Sequence, residues 1–182
     1  MKTRVILASL FVSMALFSCK KEVKEEAAEA VVVDDTKDLF KVSLDLVVKK
    51  NDTLHLYYTE DGSINFNEES SVWLPVTGKE TNQEVTFMLP KDVFPTQFRL
   101  DLGVNQAQED IVLKTVSFNY LDKKFASTGV DIANYFIPDQ SKCTFDAATG
   151  TIKAVKDQAT RLSPSFYPNE LRIKAELEKL VK

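Results

Sequence analysis

Three alternating runs of apolar residues between Val85 and Tyr120 constrain this chain more than any other stretch of its sequence. The runs read VTFML, FRLDL and VSFNY, and in each of them large apolar side chains recur at every second position. A period of two is typical of strands that bury one face and expose the other. Pro90 and Pro95 separate the first two runs, and Gly103 follows the second. The stretch therefore predicts strands that are joined by turns.

Shorter runs of the same kind lie on either side of this stretch. Apolar residues alternate over 42–48 and 54–58, and further runs occupy 72–76, 135–137 and 152–155. The proline inside the run at 72–76 places that strand at a sheet edge or at a strand end. Short strands at close spacing predict an all-β fold, a jelly-roll-like β-sandwich, in place of alternating strand and helix units.

One irregularity is predicted where the central stretch ends. Ile111 and Leu113 are out of phase with Val116 and Phe118, although all four are apolar. A β-bulge near Lys114–Thr115 would return the later residues to the inward face, because a bulge inserts one extra residue into a strand. A second local signal is the segment 146–150, a hairpin connection in which Gly150 takes the left-handed position.

The last part of the chain changes to a helical period. Four apolar residues after Asn169 share one helical face: Ile173, Leu177, Leu180 and Val181. Asn169 itself is suited to the position that caps a helix start. The pattern predicts a short amphipathic helix that packs on the sandwich, with partner binding by the same helix as the alternative. The proline-framed segment at 163–168 is interpreted as the connector to this helix.

The first residues, MKTRVILASLFVSMALFSC, combine a basic start with an apolar segment too short to cross a membrane. The sequence Leu16-Phe17-Ser18-Cys19 resembles the lipobox of bacterial lipoproteins. That resemblance implies cleavage before Cys19, acylation of Cys19 and anchoring in a lipid bilayer of the cell envelope. The outer membrane is favoured, and periplasmic or surface facing is left open. An ordinary secretory signal with a chance cysteine is the alternative.

The domain organisation follows from these segments. Residues 1–18 are predicted to be the signal peptide, and residues 19–38 a disordered tether, because they are charged, rich in alanine and without aromatic side chains. Residues 39–160 are predicted to form the β-sandwich, and residues 161–182 the connector and helix. With Cys19 acylated, Cys143 has no disulfide partner and is predicted to be a small buried core residue.

Composition argues against several functional classes. The formal net charge is −4 at pH 7, whereas nucleic-acid-binding proteins usually present a basic face. A single histidine and one free cysteine do not favour zinc or a cysteine nucleophile, so no catalytic residue, metal or cofactor is predicted. A calcium site in the oxygen-rich segment 60–69 is left open, although its spacing does not match an EF-hand loop.

Several short motifs together resemble a jelly-roll, carbohydrate-binding-like module that is found beside bacterial glycosyltransferases and in surface-polysaccharide proteins. The matching segments are Leu54 to Tyr57, Asp61 to Phe66, Phe87 to Pro90, Arg99 to Gly103 and Ile111 to Phe118. One departure is Asp101-Leu102-Gly103, where that family often has proline in the middle. The resemblance implies sugar binding by a non-catalytic domain.

Sugar sites in such domains combine flat aromatic rings with polar groups that hold hydroxyls. The candidate residues are three aromatic ones, Tyr57, Phe66 and Trp73, and three polar ones, Arg99, Asp101 and Asn105, with His55 as a further polar neighbour. These faces adjoin only if the strands that carry His55 and Arg99 pair. The alternatives are that Trp73 is a core residue, that Arg99 and Asp101 form an ion pair that stabilises the fold, and that His55 is merely an exposed strand residue.

The sequence as a whole indicates a membrane-anchored, non-catalytic lipoprotein that binds glycans or assists surface-polysaccharide assembly. The expected partners are a lipid bilayer, through acylated Cys19, and carbohydrate. The alternative function is a protein-interaction scaffold of an envelope complex that has no sugar ligand and contacts its partner through the C-terminal helix.

Overall fold

The alternating runs form strands, as predicted, in the computed structural model, which describes residues 36–182. One antiparallel sheet, the first sheet, contains six strands: β1 (Lys41–Val47), β4 (Gln83–Met88), β6 (Ile111–Tyr120), β7 (Lys123–Thr128), β9 (Cys143–Asp146) and β10 (Thr151–Ala154). The second sheet contains five: β2 (Asp52–Thr59), β3 (Ser71–Val76), β5 (Gln97–Asp101), β8 (Phe136–Pro138) and β13 (Ser165–Pro168). The predicted lipidation site, Cys19, lies outside the described residues.

The remaining elements are short, apart from the last helix. They are a hairpin of β11 (Lys156–Asp157) and β12 (Thr160–Arg161), 3₁₀ turns at Glu68–Ser70 and Gly129–Asp131, and the helices α1 (Ile132–Tyr135) and α2 (Glu170–Val181).

The chain winds between the two sheets in a jelly-roll-like manner. The first sheet has the order β4-β1-β6-β10-β9, with β7 also paired to β6, and the second has the order β3-β2-β5-β13-β8. Successive strands from β1 to β6 thus cross repeatedly from one sheet to the other, which brings apolar residues distant in sequence into one core. The inward residues of both sheets are almost completely buried, among them Leu44, Leu56, Phe98, Leu100 and Phe118.

The predicted bulge is present in β6. Asp45 of β1 pairs with Thr115, but the next residue, Leu46, pairs with Leu113, so Lys114 is the extra residue. Lys114 is exposed, whereas Leu113 and Val116 on either side are both buried. The extra residue therefore resolves the change of phase that the sequence contains.

Two proline and glycine signals are also confirmed. Strand β3, which contains Pro75, is the edge strand of the second sheet, where a missing N–H costs no ladder hydrogen bond. Gly150 has φ +72° and closes the connection between β9 and β10.

The segment 163–168 was predicted to be a connector to the helix, but the structure shows that it contains the strand β13. Phe166 and Leu100 are partners between β13 and β5, and Phe166 is fully buried. The prolines that suggested a connector lie at the margins of this strand, where proline is tolerated. The sandwich therefore extends to Pro168 and ends directly before the last helix.

Helix α2 begins after Asn169, whose side chain accepts a hydrogen bond from the backbone N–H of Arg172. Its residues Ile173, Leu177 and Leu180 are buried in the core, so the helix packs on the sandwich as predicted. Val181 is half exposed and so does not share that buried face.

One carboxylate organises the loop between β5 and β6. Asp52 is 7% exposed, and its Oδ1 accepts hydrogen bonds from the backbone N–H groups of Thr53, Val104 and Asn105 at 2.7–2.9 Å. Its Oδ2 accepts a bond from Gln108 Nε2 at 2.9 Å. Gly103 has φ +88°, and a Cβ atom there would lie 2.4 Å from Asp52 Oδ2. The loop therefore needs both this acid and a glycine.

Cys143 is fully buried, as predicted, and burial raises the pKa of its thiol to about 11. Within residues 36–182, no helix is long and apolar enough to cross a membrane.

Candidate functional site

Pairing in the second sheet brings most of the predicted site residues together on its outer face. His55 is opposite Trp73 of β3 on one side and Asp101 of β5 on the other, and Tyr57 is opposite Arg99. Because alternate residues of a strand point to opposite faces, the burial of the neighbouring leucines in the core directs these side chains outward. The strands that carry His55 and Arg99, β2 and β5, thus pair and present these side chains on one face.

The outward side chains form a contiguous line of contacts, the aromatic row, which consists of Trp73, His55, Tyr57, Arg99 and Tyr167. The ring centroids of Trp73 and His55 are 3.6 Å apart at an interplanar angle of 17°, and those of His55 and Tyr57 are 3.9 Å apart. The guanidinium carbon of Arg99 lies 4.5 Å from the Tyr57 ring centroid and 5.3 Å from that of Tyr167. These distances are those of stacking and cation–π contacts.

Phe66 lies beside the row, on the loop between β2 and β3. Its ring centroid is 6.4 Å from that of Tyr57 and 6.4 Å from that of Tyr167, and the rings are tilted in both pairs. The three predicted aromatic residues, Tyr57, Phe66 and Trp73, thus belong to one surface.

Glu68 links the aromatic row to the loop between β2 and β3. Sequence reasoning did not identify Glu68 as a residue of this site. Its Oε1 accepts a hydrogen bond from Trp73 Nε1 at 2.7 Å, and its Oε2 accepts one from the Tyr57 hydroxyl at 3.0 Å. The side chain of Asn67 caps the 3₁₀ turn that carries Glu68. No sequence pattern separates Glu68 from the other acids of this loop, because its role depends on where two strands place their aromatic side chains.

These hydrogen bonds change the acidity of both partners. The bond from the Trp73 indole N–H is the largest cause that lowers the pKa of Glu68, and the bond from Tyr57 acts in the same direction. Burial, followed by the bond to Glu68, raises the pKa of Tyr57 to about 12. At neutral pH the pair is therefore a carboxylate and a neutral phenol.

His55 is buried, which corrects the expectation of an exposed strand residue. Its exposed fraction is 2%, because Trp73 and Tyr57 cover its two sides. Burial lowers the pKa of His55, against opposing effects of Glu68 and Asp101. Its Nε2 has no hydrogen-bond partner among the described residues, and Glu68 Oε1 lies 3.8 Å away. At neutral pH His55 is an uncharged spacer between two rings.

Trp73 has the most accessible aromatic ring of the row. Its exposed fraction is 48%, so it is not a core residue. One side of the indole stacks on His55, and its N–H is fixed by Glu68. Since β3 is the edge strand, the ring stands at the margin of the sheet and is held there by contacts with neighbouring side chains.

Arg99 and Asp101 form a forked ion pair along one strand. Arg99 Nε donates to Asp101 Oδ1 at 2.9 Å, and Arg99 Nη2 donates to Oδ2 of the same carboxylate. Burial by itself would lower the pKa of Arg99, but the hydrogen bonds and charge of Asp101 outweigh it and raise that pKa. The guanidinium is therefore both neutralised and fixed in position between two tyrosine rings.

Asn105, the remaining predicted residue, belongs to the loop between β5 and β6. Its Nδ2 donates to the carbonyl of Asn51 at 2.7 Å, and its Oδ1 accepts from the N–H of Ala107 at 2.8 Å. Within the part of the chain that the structure describes, its hydrogen bonds all go to this loop, to Asn51 in the turn before β2 and to Asp52 at the start of β2. Asn105 thus has a structural role that is separate from the aromatic row.

A large cavity of about 540 Å³ lies elsewhere, beside the same loop. Its walls include Lys49, Gln106, Glu109, Asp110 and Arg161, and no aromatic side chain of residues 36–182 lines it. Over residues 36–182, no three potential metal ligands of the His, Cys, Asp or Glu type lie close enough together to hold an ion. Within the aromatic row, the half-exposed ring of Trp73 is the one with a large accessible surface.

Comparison of the chain with protein-family models, with curated proteins and with solved structures finds no match.

Proposed function

We propose that this protein is a membrane-anchored, non-catalytic glycan-binding or surface-polysaccharide accessory lipoprotein that binds sugar on the outer face of its second sheet. The observation that carries the proposal is the half-exposed ring of Trp73, which is fixed by stacking on His55 and by a hydrogen bond to Glu68. A fixed aromatic ring can stack on the apolar C–H face of a pyranose at little entropic cost, because the ring does not have to be ordered on binding.

Glu68 lies beside this ring, and Arg99 lies further along the aromatic row. Glu68 can accept hydrogen bonds from hydroxyl groups, and the guanidinium of Arg99 has donors that Asp101 does not use. The row from β3 across β2 and β5 to β13 spans about 14 Å, at about 4.8 Å per strand. A single sugar is shorter than this row. The length of the row therefore favours a short oligosaccharide that runs across the strands.

The first test is binding by a Trp73→Leu variant, which removes the flat ring but keeps an apolar cover over His55. We expect the affinity for the best ligand on a glycan array to fall about 30-fold, which corresponds to about 2 kcal/mol for the loss of an aromatic anchor. Isothermal titration calorimetry measures the change.

The matched control for this variant is Phe94→Leu, because Phe94 is an aromatic residue of similar exposure that lies outside the aromatic row. Thermal unfolding establishes that both variants are folded. Unchanged affinity in Trp73→Leu, or no glycan bound by the unmodified protein, would refute the proposal.

Membrane anchoring is the second part of the proposal, and the lipobox-like sequence that ends at Cys19 supports it. We expect Cys19→Ser to move the protein from the membrane fraction to the soluble fraction, because an acylated chain adds about 0.8 kcal/mol of membrane affinity per buried methylene. Fractionation followed by immunoblotting measures this, and Cys143→Ser is the control. A Cys19→Ser protein that stays in the membrane fraction would contradict acylation at this residue.

The alternative of an envelope scaffold depended on an apolar helix face that was free to bind a partner. In the structure, Ile173, Leu177 and Leu180 of that face are buried in the domain's own core. The large exposed apolar residues of α2 are Leu171 and Val181, which lie at opposite ends of the helix. The arrangement of α2 therefore favours glycan binding by the second sheet over partner binding by the helix.

A further inference from the structure

The charge of the proposed sugar site is set by Glu68. Its side chain is 64% exposed, and each of its oxygens accepts one hydrogen bond from the protein. A carboxylate has about four lone-pair sites, so about two of them remain available to a ligand. They lie next to the Trp73 ring because the indole N–H itself holds this carboxylate.

The cations of the same face are already paired. Arg99 is bound to Asp101 in the forked geometry and lies between the rings of Tyr57 and Tyr167. Lys142, which donates to Ser165 Oγ of β13 at 3.2 Å, lies 3.9 Å from Asp139.

His55 contributes no charge at neutral pH, because burial lowers its pKa. Among the charges of residues 36–182 that contact the aromatic row, the excess is therefore negative and is carried by Glu68.

We propose that this site selects uncharged glycans with adjacent hydroxyl groups, which donate to Glu68, and rejects glycans that carry carboxylates or sulfates. The inference rests on the proposed glycan-binding function and names the class of sugar. Two neighbouring hydroxyls can donate to the two oxygens of one carboxylate, as a diol does. An anionic sugar in the same position would face an unneutralised like charge, because the charge of Arg99 on this face is already balanced by Asp101.

The experiment compares two forms of one oligosaccharide. The uncharged oligosaccharide that binds best on a glycan array is oxidised at its primary hydroxyl groups, which converts them to carboxylates and leaves the ring and linkage unchanged. Affinities of both forms are measured by calorimetry for the unmodified protein, for Glu68→Gln and for Glu69→Gln. Glu69 is the matched control, because it is the exposed acid next in sequence.

We expect the unmodified protein to bind the uncharged form at least tenfold more tightly than the oxidised form. In Glu68→Gln the preference should fall to within about threefold, whereas Glu69→Gln should keep the full preference. Screening by 1 M salt should also reduce the preference of the unmodified protein for the uncharged form, since the Debye length shortens to about 3 Å.

Equal binding of the two forms, tighter binding of the oxidised form, or a preference that survives in Glu68→Gln would overturn the selectivity and leave the glycan-binding function intact. Absence of any glycan ligand would overturn both.

Discussion

Replacing Asp52 by alanine is expected to lower the free energy of unfolding by about 3 kcal/mol, although Asp52 contacts no residue of the aromatic row. The variant removes the acceptor of three backbone N–H groups and one side-chain amide in a site that is 7% exposed. Buried donors that lose their partner cost about 1–3 kcal/mol each, and water entering the loop offsets part of this. In a thermal scan the midpoint should fall by about 10 °C.

Two further variants make this test specific. Asp52→Asn keeps one carbonyl oxygen for the backbone donors. Its free energy of unfolding should therefore lie between those of the alanine variant and the unmodified protein. Asp157→Ala removes an exposed acid of the short hairpin and should change stability by less than about 0.5 kcal/mol. If Asp52→Ala is as stable as Asp157→Ala, the loop between β5 and β6 does not depend on this carboxylate.

The second large effect is expected for Arg99→Met, which leaves Asp101 without its partner. The two side chains are 18% and 12% exposed, so the remaining carboxylate is mostly desolvated. Removing one member of a fully buried ion pair costs about 3–5 kcal/mol, and the residual exposure of this pair lowers the expected cost to about 2–3 kcal/mol. Chemical denaturation measures the loss, with Arg172→Met, an exposed arginine of α2, as the control.

A double variant separates the cost of an orphaned charge from the contribution of the pair itself. Arg99→Met combined with Asp101→Leu should recover most of the lost stability, because apolar replacements of a buried pair are often nearly neutral. No recovery in the double variant would mean that the pair contributes through its contacts with Tyr57 and Tyr167. The double variant would then also be the one to test for glycan binding.

The strands were predictable because their signals are local. Alternation in VTFML, FRLDL and VSFNY depends only on which face of a strand is buried, and the phase change before Val116 predicts the bulge at Lys114 for the same reason. The strand β13 was missed because prolines at its margins are typical of connectors. Only its partners, β5 and β8, show that the segment is inside a sheet.

The site was predictable in part. Aromatic and polar side chains on outward strand positions indicated Tyr57, Trp73, Arg99 and Asp101, and pairing of β2 with β3 and β5 places them together. The burial of His55 could not be read from its strand, because its cover is supplied by Trp73 from a neighbouring one. Asn105 follows the RLDLG motif closely in sequence, yet its hydrogen bonds go to its own loop and to Asn51 and Asp52, away from the aromatic row.

The sequence by itself thus determined the all-β class, the short C-terminal helix, the bulge and the placement of Pro75 at a sheet edge or a strand end, since each depends on the period or chemistry of neighbouring residues. Only the tertiary structure decided which side chains form one surface. Strands that are distant in sequence pair with a register that no single strand encodes, and that register brings Glu68, Trp73 and Tyr57 together. A surface of this kind is a property of pairing between strands, so it forms only when the sheet is assembled.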